Sequence, residues 1–127
     1  MRQCRHGFGA PRVLVVEDEG LIASIAAEVL ADEGYDVRTA GDGRLALELV
    51  LDWLPCLILL DVMMPVMDGR AFLHRLRQLE ERTETPVVLV SGAGGPALSE
   101  VGMRVADVIR KPYGLERLLD TVERLAR

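Results

Sequence analysis

Hydrophobic and polar positions along this chain recur in two periods. Short, almost uninterrupted apolar runs alternate with longer segments in which apolar residues return every three to four positions, the signatures of buried strands and of amphipathic helices. Arg12–Val16 reads as a buried strand, and Leu21, Ile22, Ile25, Val29 and Leu30 follow at helical spacing, with Gly34 placed to stop that helix. Residues 35–40 predict a weaker second strand, Gly41-Asp42-Gly43 a turn, and residues 44–53 a second helix with Pro55 beyond its end. Leu57–Leu60 predicts a third strand. After a loop over 61–69, Phe72, Leu73, Leu76 and Leu79 form the apolar face of a helix whose other face, Arg70, His74, Arg75 and Arg77, is basic. Pro86–Val90 predicts a fourth strand, with the proline at the first position, where its missing N–H costs least. A glycine-rich loop (91–96), a short helix to about residue 104, a fifth strand over Asp107–Arg110 and a last helix complete the pattern. That last helix carries the cleanest stripe: Leu115, Leu118, Leu119, Val122 and Leu125.

Five strands alternating with five helices predict an α/β fold, a doubly wound five-stranded parallel sheet with helices on both faces. The crossovers should be right-handed. Composition narrows this only slightly: aromatic residues are 4% of the chain, so aliphatic side chains must build the core. The length of 127 residues suits one domain, read as residues 11–127 behind a flexible lead, residues 1–10, that has no apolar period. A net charge of −5 argues against nucleic acid as a partner, because a phosphate-binding surface must be basic. Cys4 lies in the polar lead and Cys56 opens an apolar run, so no bridge between them is expected and a reducing compartment is. The run from Cys56 to Leu60 stops at Asp61, far short of the roughly 20 residues a membrane-spanning helix needs. Val13–Val16 is too short for a signal-peptide core. A cytoplasmic protein with no membrane contact is therefore expected.

In an open α/β sheet the ligand site lies beyond the carboxyl ends of the strands. There the sequence puts Glu17, Asp18 and Glu19 after the first strand, Asp61 after the third, Ser91 after the fourth and Lys111 after the fifth. Carboxylates this close repel one another, so they bind protons or hold a cation. Oxygen donors without His or Cys suit Mg2+. Asp61 could then attack a phosphoryl group, with Mg2+ and the Lys111 ammonium neutralising charge and Ser91 donating to a phosphoryl oxygen. Each residue alone is more often a cap, a turn or a solvated charge. Four at four strand ends are hard to attribute to accident.

At these residues the sequence closely resembles the receiver domain of two-component response regulators. The matching stretches are VLVVEDEG (Val13–Gly20), LILLDVMMPVMDG (Leu57–Gly69), PVVLVSG (Pro86–Gly92) and RKPYG (Arg110–Gly114). The resemblance implies the flavodoxin-like strand order 2-1-3-4-5, Asp61 as phosphoacceptor, and Glu17 and Asp18 as the acidic pair that holds Mg2+. It also implies the backbone carbonyl of Met63 as a further metal ligand beside Asp61, Ser91 as the switch hydroxyl, Lys111 as the phosphate-contacting lysine and a cis Lys111–Pro112 bond. Pro65 and Asp68-Gly69 would shape the loop that carries Asp61. The phosphoryl donor would be a histidine kinase or a histidine phosphotransfer protein docking mainly on the first helix, where Ala23, Ala26 and Ala27 would allow close approach. Such a domain assists its own phosphorylation and is not a turnover enzyme on an external substrate. Its output would be a changed surface for a downstream protein, and it would be a monomer or a weak homodimer.

Two departures touch the switch. Many receivers carry Tyr or Phe three residues before the lysine; here Val108 stands there, and Tyr113 matches a different family position. Only residues 92–110 separate Ser91 from Lys111, so the fourth helix is expected to be short, with signalling through the 92–96 loop. The alternative is a degenerate receiver acting as a phosphorylation-independent interaction module. A haloacid-dehalogenase-like phosphatase would need a second aspartate where Met63 stands, and a flavin module would meet repulsion from Glu17-Asp18-Glu19. His6 and His74 read as surface residues, Trp53 as a packing or rim residue, and Met63, Met64 and Met67 as part of the loop. The match leaves no residues for an output domain, so the chain reads as a stand-alone receiver or as one excised from a longer protein.

Overall fold

The computed structural model describes residues 9–61, 69–79, 85–91 and 105–126. Cys4, His6, the loop with Met63, Pro65 and Asp68, and the expected loop and short helix after Ser91 lie outside these. In chain order the elements are β1 (Arg12–Val16), α1 (Gly20–Asp32), β2 (Asp36–Ala40), α2 (Gly43–Trp53), β3 (Leu57–Asp61), α3 (Gly69–Gln78), β4 (Val87–Ser91), β5 (Asp107–Arg110) and α4 (Leu115–Ala126). The five strands form one parallel sheet in the order β2-β1-β3-β4-β5, as expected. β3 runs one residue further than its apolar run. Asp61 is therefore part of the sheet, paired in register with Val90.

Side chains alternate across a strand, and the alternation divides the core into two layers. Leu14, Val16, Ile58, Leu60, Val87 and Leu89 face one way, against Ala46, Val50 and Trp53 of α2 and Phe72, Leu73 and Leu76 of α3. Val13, Val15, Leu57, Leu59, Val88 and Ile109 face the other, against Ala26 and Leu30 of α1 and Leu118, Val122 and Ala126 of α4. Every residue of β3 and β4 is buried, as a sheet covered on both faces requires.

Local chemistry sets the element ends. At the end of α1, Tyr35 N–H donates to Leu30 O and Gly34 N–H to Ala31 O, a Schellman closure in which Gly34 takes φ 96°. Asp42 caps α2 by accepting from Leu45 N–H at 2.9 Å, and Leu54 closes it in a left-handed conformation, φ 60°, just before Pro55. Trp53 is a packing residue, buried under the guanidinium groups of Arg12 and Arg38 at 5.7 and 4.9 Å from its ring centroid.

Two sequence expectations are corrected. On α1 the buried residues are Ala23, Ala26 and Leu30, whereas Leu21 and Ile25 are exposed. Ala23 and Ala26 therefore cannot form a partner-facing stripe; their small side chains let the helix lie close on the sheet. Cys56 is disulfide-bonded rather than a free thiol, which removes the support that unpaired cysteines lent to a reducing compartment. No helix among the described residues is long and apolar enough to cross a membrane.

Candidate functional site

The site lies at the carboxyl edge of the sheet, where β1, β3, β4 and β5 end side by side. Glu17 prolongs β1 by one hydrogen bond, its N–H donating to Ala40 O at 2.9 Å. The chain then turns through Asp18 and Glu19 into α1, so the acidic residues stand at the positive end of that helix. Glu17 and Asp61 are each 6% exposed, and Asp18 is exposed. Carboxylate oxygens of Glu17, Asp18 and Asp61 lie within 4.8 Å of one another.

Lys111 reaches into this cluster from the end of β5. Its Nζ donates to Glu17 Oε1 at 3.1 Å and to Asp61 Oδ2 at 3.4 Å. The Lys111 N–H also donates to Ser91 O at 2.8 Å, which ties the ends of β4 and β5 together and sets the hydroxyl and the ammonium on adjacent strand ends. Ser91 is 5% exposed. The Lys111–Pro112 bond is cis, as expected.

Charge at the site is tightly coupled. Burial pushes the Glu17 carboxyl above its usual range; the Glu19 N–H at 3.2 Å and Lys111 oppose this, and the nearby Asp61 adds to it. Burial alone would lower Lys111, but Glu17 and Asp61 outweigh it and hold the ammonium above its ordinary value. Three carboxylates against one ammonium still leave an excess of negative charge. The donors are oxygens without His or Cys, the set that a hard divalent cation such as Mg2+ takes. Glu17, Asp18 and Asp61 are thus brought together as the sequence suggested, with Lys111 among them and Ser91 on the neighbouring strand. Met63, the remaining expected ligand, lies outside the described residues.

Sequence reasoning missed one residue. Behind the carboxylates is a narrow cavity of about 10 Å3, the room of a single water, lined by Glu17, Asp61, Ile22, Ala26 and Tyr113 among others. Tyr113 follows a proline and belongs to no periodic stripe, so only its adjacency to Lys111 in the chain could have signalled this. Val108 is half-buried against the α2–α3 layer, and its carbonyl accepts from Arg117 at 2.9 Å.

Residues 13–123 match the response regulator receiver domain. Among curated proteins the chain is 32% identical over 119 residues to the DNA-binding dual master transcriptional regulator RpaA of Synechocystis, covering 92% of this chain and 49% of that protein. It is 38% identical over 110 residues to the transcriptional regulatory protein DltR of Streptococcus agalactiae, covering 85% and 48%. The chain spans about half the length of these curated relatives. Among solved structures, the chemotaxis protein CheY4 of Vibrio cholerae superposes with a TM-score of 0.85 at 32% identity, covering 92% of this chain and 99% of that one. The receiver domain of NtrX from Brucella abortus gives 0.82 at 36% identity, covering 90% and 97%.

Proposed function

The chain belongs to the response regulator receiver family of two-component signalling, and from that premise we propose that it accepts a phosphoryl group on Asp61. The observation that carries this reading is the convergence of Glu17, Asp18, Asp61 and Lys111 within hydrogen-bonding and ion-pairing reach at one sheet edge. An Asp61 carboxylate oxygen forms the new bond to phosphorus, the P–N bond to the donor histidine breaks, and its electron pair stays on the imidazole nitrogen, which takes up a proton. Hydrolysis of the acyl phosphate returns the free carboxylate.

Glu17, Asp18, Asp61 and the Met63 carbonyl would hold Mg2+, which supplies neutralising charge at the phosphoryl oxygens. Lys111 would move its ammonium onto the same oxygens, and Ser91 would donate its hydroxyl to one of them. The donor is a histidine kinase or a histidine phosphotransfer protein, and the exposed Leu21 and Ile25 of α1 offer it an apolar surface beside the site. The functional unit spans residues 11–127 behind the lead, works in the cytoplasm and signals by a changed partner-binding surface. It turns over no external substrate.

The test is incubation of the protein with Mg2+ and acetyl phosphate, read by intact mass. Wild type gains one phosphoryl group and Asp61→Asn gains none. Equal labelling of the two would sink the assignment of Asp61. No labelling of either would favour the phosphorylation-independent interaction module.

A further inference from the structure

Two residues past Lys111, Tyr113 packs its half-buried ring against the core layer formed under α1 and α4. One side of the ring lines the narrow cavity behind Glu17 and Asp61. The other flanks an open apolar depression with Ile22, Lys111 and Pro112. Tyr113 is thus a partition between the buried carboxylates and the surface beside α1.

Its hydroxyl makes no hydrogen bond with any described residue. At neutral pH a phenol keeps its proton, so the group is a donor. Glu17, which lines the same cavity, is an acceptor. Its carboxylate accepts from the Lys111 ammonium at 3.1 Å and the Glu19 N–H at 3.2 Å and lies beside the Asp61 carboxyl, while an ionised carboxylate offers about four lone-pair sites. The Lys111 donor is also insecure. Lys111 is shared with Asp61, and a divalent cation entering the acid cluster repels the ammonium from it.

We infer that Tyr113, which shares the cavity with Glu17, is a positioning residue for it: the Tyr113 hydroxyl becomes the neutral donor to the Glu17 carboxylate when an incoming cation displaces Lys111. A neutral donor can do this where a second ammonium cannot, because it adds no charge opposed to the metal. The inference rests on the metal-assisted phosphoacceptor reading above and adds to it the group that keeps Glu17 aimed.

The experiment uses the full chain as wild type, Tyr113→Phe, which removes only the hydroxyl, and Tyr113→Leu, which removes the ring as well. Mg2+ binding is measured by calorimetry without phosphodonor, melting is measured without metal, and labelling by acetyl phosphate is followed across a Mg2+ series. Tyr113→Phe should melt with wild type and bind Mg2+ about tenfold more weakly, the scale seen when the outer partner of a metal ligand is lost. Its half-maximal Mg2+ concentration for labelling should rise by the same factor, with the maximal rate unchanged. Equal Mg2+ affinity in Tyr113→Phe and wild type would overturn the inference. So would weakening confined to Tyr113→Leu, a lowered melting point in Tyr113→Phe, a maximal rate that saturating Mg2+ fails to restore, or a wild type that binds no Mg2+. A wild type that binds Mg2+ but is never labelled would defeat the phosphoacceptor reading alone, since the calorimetric comparison needs no phosphodonor.

Discussion

Glu17 and Asp18 are neighbours in the chain and opposites in environment. Glu17 is buried and costly to ionise unless Lys111 and the Glu19 N–H meet it, so changing it alters both the metal-free fold and the site. Asp18 is exposed, and its oxygen completes the cluster at little cost to folding. The two roles can therefore be separated at Asp18. Mg2+ at ten times its Kd should stabilise wild type by about 1.4 kcal/mol, through binding to the folded state alone. Asp18→Asn should lose that gain while its metal-free stability stays within about 0.5 kcal/mol of wild type. Melting curves with and without Mg2+ read both quantities, and an undiminished Mg2+ gain in the variant would remove Asp18 from the ligand set. All five polar residues proposed for the chemistry were legible as side chains at strand ends. The Lys111–Glu17 pair was not, because its partners are 94 residues apart and no local rule joins them.

At the scale of elements, α1 shows how a helical period can be read on the wrong face. The apolar stripe read from the sequence is Leu21, Ile22, Ile25, Val29 and Leu30, whereas the sheet-facing set is Ala23, Ala26 and Leu30, which shares only Leu30 with it; hydropathy favours the first. The sheet selects the second, since alanines permit a closer approach of helix to strands than branched side chains. Ala26 is 4% exposed, so Ala26→Leu should overpack the layer between α1 and the sheet and destabilise by about 1–3 kcal/mol in urea unfolding. Ile25 is 50% exposed, so Ile25→Ser should shift stability by less than about 0.5 kcal/mol. It should, however, slow phosphotransfer from a phosphohistidine protein and leave labelling by acetyl phosphate unchanged. A variant as fast as wild type with the protein donor would show that this face of α1 does not meet it. The remaining elements were legible to within a residue or two wherever the structure describes them, because their buried faces follow the period of the element itself.

In the whole molecule, β5 is an edge strand, and its attachment to α4 is electrostatic as well as apolar. Asp107 accepts from Arg124 at 2.6 Å and from Arg117 at 3.4 Å. Burial works against its charge, but the Val108 N–H and the two guanidinium groups outweigh it and hold the carboxyl below its ordinary value. A carboxyl lowered by folding contributes stability above its unfolded pKa of about 3.9 and loses it as pH falls through the folded value. The stability difference between wild type and Asp107→Asn should therefore be fully present at pH 6 and shrink below about pH 4, as urea unfolding across that range would show. A difference independent of pH would mean that the carboxylate charge contributes nothing. The sequence by itself determined the α/β class, the two-layered core and the polar residues at the strand ends, because strand alternation, helix period and turn chemistry are local. Only the tertiary structure decided which face of α1 is buried, that Lys111 sits between Glu17 and Asp61, and that Tyr113 lines their cavity. Those facts depend on how closely distant elements approach, and distance between elements is set by packing the whole sheet rather than by any single stretch of chain.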